Sequence, residues 1–247
     1  MIKRLIIALF FVTSLLGCQW NVSHHAKAVS EEELTIERYD QIEHLFLTTG
    51  DFAALQRLKT LYPMETRTLI EDVLCLGQVD EEGINTRFFI YFQDSTLQGI
   101  LRDVATEYAD MNDICKDLSK AFKSLKALIP SIDVPKIYAQ IGSLDQSIVV
   151  GNGMLGISLD KYLGMDYPLY HKYNFSERQR KLMTRSAIVP DCIGFYLISS
   201  YPEADDVVIK WIVNHCVGYS FFPKDSAIER FDSLVRKSKN ILQESSL

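Results

Sequence analysis

Apolar residues return every three to four positions through the first half of the chain, the spacing of amphipathic helices. Tyr39, Ile42, Leu45 and Phe46 share one face, and Thr48-Thr49-Gly50-Asp51 closes that helix and caps the next. Phe52, Leu55, Leu58 and Leu61 repeat at three until Tyr62-Pro63, and Thr68 to Leu76 continues in the same way. Phe88, Phe89, Tyr91 and Phe92 form an aromatic cluster suited to a core. Met111, Ile114, Leu118, Phe122, Leu125 and Ile129 give the cleanest stripe, stopped by Pro130.

The period then changes to two. Ile137, Ala139 and Ile141 alternate with Tyr138 and Gln140 after Pro135, the mark of a strand. Two further apolar runs, Ser147 to Val150 and Met154 to Leu159, flank Gly151-Asn152-Gly153, whose residues tolerate the positive φ of a tight hairpin. Helical spacing returns after Asp160. Ser176-Glu177 opens one helix, Ala187 to Ser200 is strongly apolar, and Val208, Trp211, Ile212 and His215 mark another. Ser226 and Glu229 have capping-box spacing for a last helix beyond Pro223, with Ile228, Phe231, Val235 and Leu242 on its buried side. The class this predicts is α+β: a mostly helical single domain with a small three-stranded central sheet containing a hairpin.

The amino terminus stands apart from that pattern. Lys3 and Arg4 precede an apolar run from Leu5 to Leu16, well short of the ~20 residues that span a bilayer, so residues 1–17 read as a signal peptide. Leu15-Leu16-Gly17-Cys18 resembles the lipobox of bacterial lipoproteins. That implies cleavage before Cys18, acylation of its thiol and of the new amino terminus, and anchoring in a lipid bilayer, for which several chains suffice where one does not. The competing reading is an ordinary secretory signal with an incidental Cys18. Residues 18–33 lack periodicity and read as a tether, leaving 34–247 as the folded domain. Gln19-Trp20 carries no acidic export cluster, so the expected location faces the periplasm, in a membrane left open.

Composition narrows the partners. Without Lys3 and Arg4 the 26 bases become 24 against 32 acids, a formal charge of −8, which argues against nucleic acid and a polybasic membrane face. Cys75, Cys115, Cys192 and Cys216 lack CxxC spacing and sit in apolar segments, as buried thiols do; a Cys192–Cys216 bridge is the first pairing to test.

No HExxH, GxSxG, Walker-type loop or GxGxxG occurs, and the five histidines lack metal-ligand spacing, so no metal or cofactor is expected. The densest polar-aromatic stretch is Asp160 to Tyr170. Asp160 ends a strand, where its carboxylate can accept amides of the following turn, while Tyr162, Tyr167 and Tyr170 combine apolar faces with polar tips. Such a loop either locks the sheet to the helices or contacts a ligand. With Trp211 and His215 it forms the candidate contact set. A rival enzymatic reading uses Asp160, Asp191, His215 and Tyr138 as a divergent hydrolase site, and a third uses Phe88 to Phe92 with Tyr196 to line an apolar carrier pocket.

Three pieces of the chain carry a family resemblance. Arg38-Tyr39-Asp40 is followed by Leu58 to Pro63; Pro130 and Val134-Pro135-Lys136-Ile137-Tyr138 lead into the sheet; then comes Gly156-Ile157-Ser158-Leu159-Asp160-Lys161-Tyr162-Leu163-Gly164. In this order, over roughly Glu37 to Phe222, they resemble the GldB-like gliding-motility lipoproteins of the Bacteroidetes, whose "GLDxYLG" the last piece approaches. The resemblance implies a periplasm-facing lipoprotein tied to gliding motility and its linked secretion machinery. It also implies a fold distantly similar to HExxH zinc metallopeptidases, with Arg185 to Ser200 in place of the metal helix and no histidine in it. Tyr219 follows Val217-Gly218 where the family has Gly-Lys, and family members extend past Leu247, so a shortened relative that keeps the scaffold is a further expectation. The function expected is a non-catalytic accessory or binding component at the cell envelope, with an envelope protein as its unnamed partner.

Overall fold

The computed structural model describes residues 34–218. The signal segment, Cys18, the tether and the helix expected after Ser226 lie outside the described residues. Within them the mostly helical α+β class holds, with four strands where three were expected. The added strand, β1 (Ile36–Glu37), is too short for alternation to register and is defined by pairing with Ile137 and Tyr138 of β2 (Lys136–Gln140). β3 (Ile148–Gly151) and β4 (Met154–Ser158) complete the order β1-β2-β4-β3. β1, β2 and β4 run parallel, and β3 pairs antiparallel with β4.

The hairpin follows its sequence signal. Gly151 pairs with Met154, leaving Asn152 and Gly153 as a two-residue loop with φ of 51° and 72°. Both central residues at positive φ define the turn whose twist matches the flanking strands.

Six helices lie between β1 and β2: α1 (Tyr39–Thr49), α2 (Phe52–Leu61), α3 (Pro63–Thr68), α4 (Ile84–Tyr91), α5 (Ser95–Glu107) and α6 (Asn112–Leu128). Gly50, at φ 70°, ends α1 with its N–H on the Phe46 carbonyl, and the Asp51 carboxylate accepts the Ala53 N–H to start α2. The Thr68-to-Leu76 stretch is not one regular helix. It becomes a π-helix over Leu69–Val73, a wider winding common near functional sites. All six apolar positions of the α6 stripe are buried.

Two helix faces differ from expectation. On α2, Leu55 and Leu58 are buried, but Phe52 is 68% exposed and Leu61 58% exposed. A spacing of three slips about 60° per step against a 100° helix, so residues nine apart end on opposite sides. On α1, Leu45 is exposed and Leu47 takes its place in the core.

After the sheet come α7 (Pro168–Lys172), α8 (Glu177–Arg180), α9 (Ile188–Ser200) and α10 (Asp206–Cys216). Ser176 and Gln179 form a reciprocal capping box on α8. The helix α9 packs against β3, β4, α6 and α10. The four described cysteines are free, so no bridge joins Cys192 to Cys216; both are buried, while Cys75 is exposed in a turn at φ 50°.

Tyr138 and Gly156 are register partners on β2 and β4, and a Cβ on Gly156 would lie 2.6 Å from both Cζ and OH of Tyr138. The first glycine of the signature therefore makes room for a buried ring that also packs edge-on against Tyr39, 6.2 Å between centroids. Gly156→Ala should lower stability by about 1–3 kcal/mol, the usual cost of overpacking, read as a lower urea midpoint with an unchanged m-value. Tyr138→Leu in the same chain, lacking the ring's outer atoms, should recover part of the loss.

Candidate functional site

The signature segment ends at a turn built around buried carboxylates. After β2 the chain passes through Ile141 to Leu144, with Ser143 and Leu144 at φ of 53° and 69°, a left-handed pair that non-glycine residues seldom adopt. Asp160, fully buried at the end of β4, accepts the Gly142 N–H at 2.7 Å through Oδ1 and the Leu144 N–H through Oδ2. These amides belong to the turn after β2, the neighbouring strand in the sheet, and not to the turn following Asp160 itself. Burial raises the Asp160 carboxyl above its ordinary range, and the two amides pull it back down. An N–H thus reaches each carboxyl oxygen.

The same turn is gripped from α1. Glu43, also fully buried, accepts the Ile141 N–H at 2.9 Å through Oε2, while its Oε1 has no hydrogen-bond partner. Burial pushes its carboxyl well above the usual carboxylate range; the Ile141 amide opposes this, and nearby Asp40 and Asp160 reinforce it. The nearby cations are committed elsewhere. Arg38 is bidentate on Asp40 at 2.9 and 2.8 Å, and Lys136 pairs with buried Glu65 at 2.8 Å. Glu43 escaped sequence reading because acids are seldom core residues. Its spacing, four after Tyr39 and three before Phe46, did place it on the buried face.

The tyrosines of the candidate set are largely internal fasteners. Tyr170 is buried, donates its hydroxyl to the Asp160 carbonyl at 2.6 Å and accepts the Leu163 N–H at 2.9 Å. Tyr162 is buried, donates to Asp191 Oδ2 at 2.8 Å, and its carbonyl receives the Tyr108 hydroxyl at 2.6 Å. Asp160, Tyr162 and Tyr170 therefore cannot form the exposed contact surface expected of them, because their polar atoms are satisfied within the core. Tyr167 is half-buried, with its hydroxyl on Asp103 at 2.8 Å.

Trp211 and His215 lie elsewhere, on α10, with ring centroids 6.1 Å apart. His215 is exposed and lines a groove of about 810 Å³ with Asp113, Arg185, Val189 and Gly218. Arg185, which sequence reading did not single out, holds one wall. Its guanidinium donates to both Asp113 oxygens at 3.0 and 2.7 Å and to the carbonyls of Glu107 and Asp110, and it sits 5.0 Å from the Tyr108 ring centroid.

Of the rival enzymatic set, Asp160 accepts the two turn amides and Asp191 accepts the Tyr162 hydroxyl. Phe88 and Phe92 are buried and pack edge-on against each other at 5.8 Å, whereas Tyr196 packs on Phe122 and donates to the Asp133 carbonyl. Among the described residues no group of three or more His, Cys, Asp and Glu side chains is placed to hold a metal ion, and no helix is long and apolar enough to cross a membrane.

Beyond the signature the chain closes a loop on itself. Gly164, left-handed at φ 106°, donates its N–H to the Met183 carbonyl at 3.0 Å, joining the two ends of residues 164–183. Lys161 pins the loop from below, its ammonium 4.5 Å from the Phe175 ring centroid and 3.0 Å from the Leu144 carbonyl.

Comparison with known proteins adds one match. The family model described as gliding motility protein GldB matches residues 22–218 of the 247, and the chain belongs to that family. No curated protein and no solved structure matches.

Two measurements test the roles of Asp160 and Glu43 in the turn. Asp160→Asn turns an amide N–H₂ toward backbone N–H donors, so on the order of 3 kcal/mol of stability should go, the worth of two hydrogen bonds to a charged acceptor. Chemical denaturation reads this directly; a loss below half that value means the turn has other support. Glu43 has a folded pKa above its unfolded one. The stability it contributes is complete below the unfolded value of about 4.3 and is lost as pH rises through the folded value. The unfolding midpoint should therefore fall as pH rises above about 5, and Glu43→Gln should flatten that fall. Asp40 and Asp160, raised in the same direction, account for what slope remains.

Proposed function

We propose that this member of the GldB family is a lipid-anchored, non-catalytic component of the bacterial envelope that binds a protein partner in a motility- or secretion-linked assembly. Family membership over residues 22–218 is the observation that carries the reading. Two features support its finer parts. Leu15-Leu16-Gly17-Cys18 supplies an acylation signal, and several acyl chains hold a protein on a bilayer where one does not. The signature residues Gly156, Asp160, Tyr162 and Gly164 all make internal contacts, which suits a scaffold that presents a surface.

The body faces the periplasm in this reading, tied through Cys18. This reading assigns the buried carboxylates no catalytic role: Glu43 and Asp160 hold backbone amides of one turn. The protein acts by holding a partner near the membrane, where tethering raises the effective concentration of both.

Expression with the native signal tests the anchor. The wild-type chain should fractionate with membranes and yield an acylated amino-terminal Cys18 peptide by mass spectrometry, whereas Cys18→Ser should appear in the soluble periplasmic fraction. Recovery of unmodified, soluble wild type overturns the anchoring. Deletion of the gene in a gliding host should reduce spreading on a surface, and re-expression of the Cys18→Ser chain should restore less of it than the wild type.

A further inference from the structure

We propose that the buried space between α1 and the carboxyl ends of β2 and β4 is a binding site for one water molecule, held by Glu43 Oε1, Gln140 Oε1 and the Ser158 hydroxyl. Glu43, Gln140 and Ser158 are each fully buried. Gln140 Nε2 donates to Ser158 Oγ at 3.1 Å, but Gln140 Oε1, like Glu43 Oε1, has no hydrogen-bond partner among the described residues. Buried polar atoms are seldom left unpaired, and an ordered water is the usual remedy where no protein group reaches them.

Register brings the two oxygens to one place. Tyr39 on α1 packs edge-on against Tyr138 on β2, 6.2 Å between centroids. Glu43 lies one helical turn beyond Tyr39, and Gln140 lies two residues beyond Tyr138 on the same face of its strand. Those steps advance about 6 Å along the helix and about 6.6 Å along the strand. The bond from the Ile141 N–H to Glu43 Oε2, at 2.9 Å, shows that α1 and β2 advance in the same direction. Glu43 therefore sits over the end of β2 beside Gln140, and Ser158, the register partner of Gln140 on β4, completes the group.

Two acceptor oxygens do not bond to each other, and the donors around them are committed. Gly142 and Leu144 give their amides to Asp160, Arg38 is on Asp40, and Lys136 is on Glu65. A water molecule supplies what the pair lacks, donating one proton to Glu43 Oε1 and the other to Gln140 Oε1. Ser158 Oγ accepts from Gln140, so its own proton is left to donate to the water oxygen. Three partners is the usual complement of a buried water. Gly142 keeps the space beside that hydroxyl open, because a Cβ there would lie 2.9 Å from Ser158 Oγ and 3.4 Å from Val73 Cγ1 of the π-helix. A bridged hydrogen bond is nearly as favourable as a direct one, so the water serves the second oxygen of an acid that has one amide and no cation.

The test uses the whole mature chain as Cys18→Ser, which keeps the protein in solution without shortening it. In a high-resolution crystal structure one density peak should lie about 2.6–3.2 Å from Glu43 Oε1, Gln140 Oε1 and Ser158 Oγ. Direct contact of Glu43 with the Gln140 amide or the Ser158 hydroxyl, with no peak between them, overturns the proposal. So does a peak held at about 2.3–2.5 Å by six or more oxygens, which marks a cation. In solution, oxygen-17 magnetic relaxation dispersion counts long-lived internal waters. Gln140→Leu, close in volume and lacking both polar atoms, should lose one such water relative to the Cys18→Ser parent. Equal counts in a Gln140→Leu chain whose circular dichroism matches the parent overturn the site. If that variant does not fold, the density in the parent decides alone. Neither measurement depends on a membrane or a partner, so failure here leaves the envelope role untouched.

Discussion

Two backbone amides point at the Asp160 carboxylate, and the geometry of the sheet's working end depends on that contact. Gly142 and Leu144 sit in a turn whose left-handed residues Ser143 and Leu144 would relax elsewhere without a fixed acceptor. Asp160 lies in the turn leaving β4, two strands' worth of chain away, so the contact ties together the ends of adjacent parallel strands. Everything downstream inherits its position. Tyr170 closes over the Asp160 carbonyl, Lys161 reaches back to Leu144, and the loop of residues 164–183 is carried on both.

Burying that charge has to be compensated, and the protein uses a different device at each of its buried acids. Asp40 has a bidentate arginine, Glu65 has a half-exposed lysine, and Asp160 has two amides. Glu43 has a single amide and no cation. In a low-dielectric interior an uncompensated carboxylate is more costly than a neutral acid, so burial raises the Glu43 carboxyl against one opposing amide and the Asp160 carboxyl against two. The two acids that grip one turn thus differ in how many donors offset their burial.

The local features were legible from the sequence, and the long-range ones were not. The Asn152-Gly153 hairpin, the Gly50 and Asp51 caps and the α6 stripe are each written in a few adjacent residues, because φ preference and helical spacing are local physics. The β1 strand could not be read, since two residues carry no period and its pairing partner is some hundred positions away. Phe52 and Leu61 were assigned to a common face by a period that does not match the helix. The candidate site fared unevenly for a related reason. The signature residues stood out, but a tyrosine's polar tip looks the same in sequence whether it meets solvent or a buried carbonyl. Tyr162 and Tyr170 met carbonyl, carboxylate and amide groups inside the fold, and so belong to the frame.

That outcome changes what a family signature of this kind is evidence for. Gly156 is fixed by the volume of the Tyr138 ring, Asp160 by two amides, Gly164 by a left-handed φ and the closure onto Met183. Each is demanded by the fold whatever the protein binds, so a relative could keep all of them and change its partner. The residues free to set partner choice are those the frame leaves in solvent, Arg178 and Leu182 among them. A strict frame carrying a permissive surface separates folding from recognition, since the substitutions that retune binding then cost little stability.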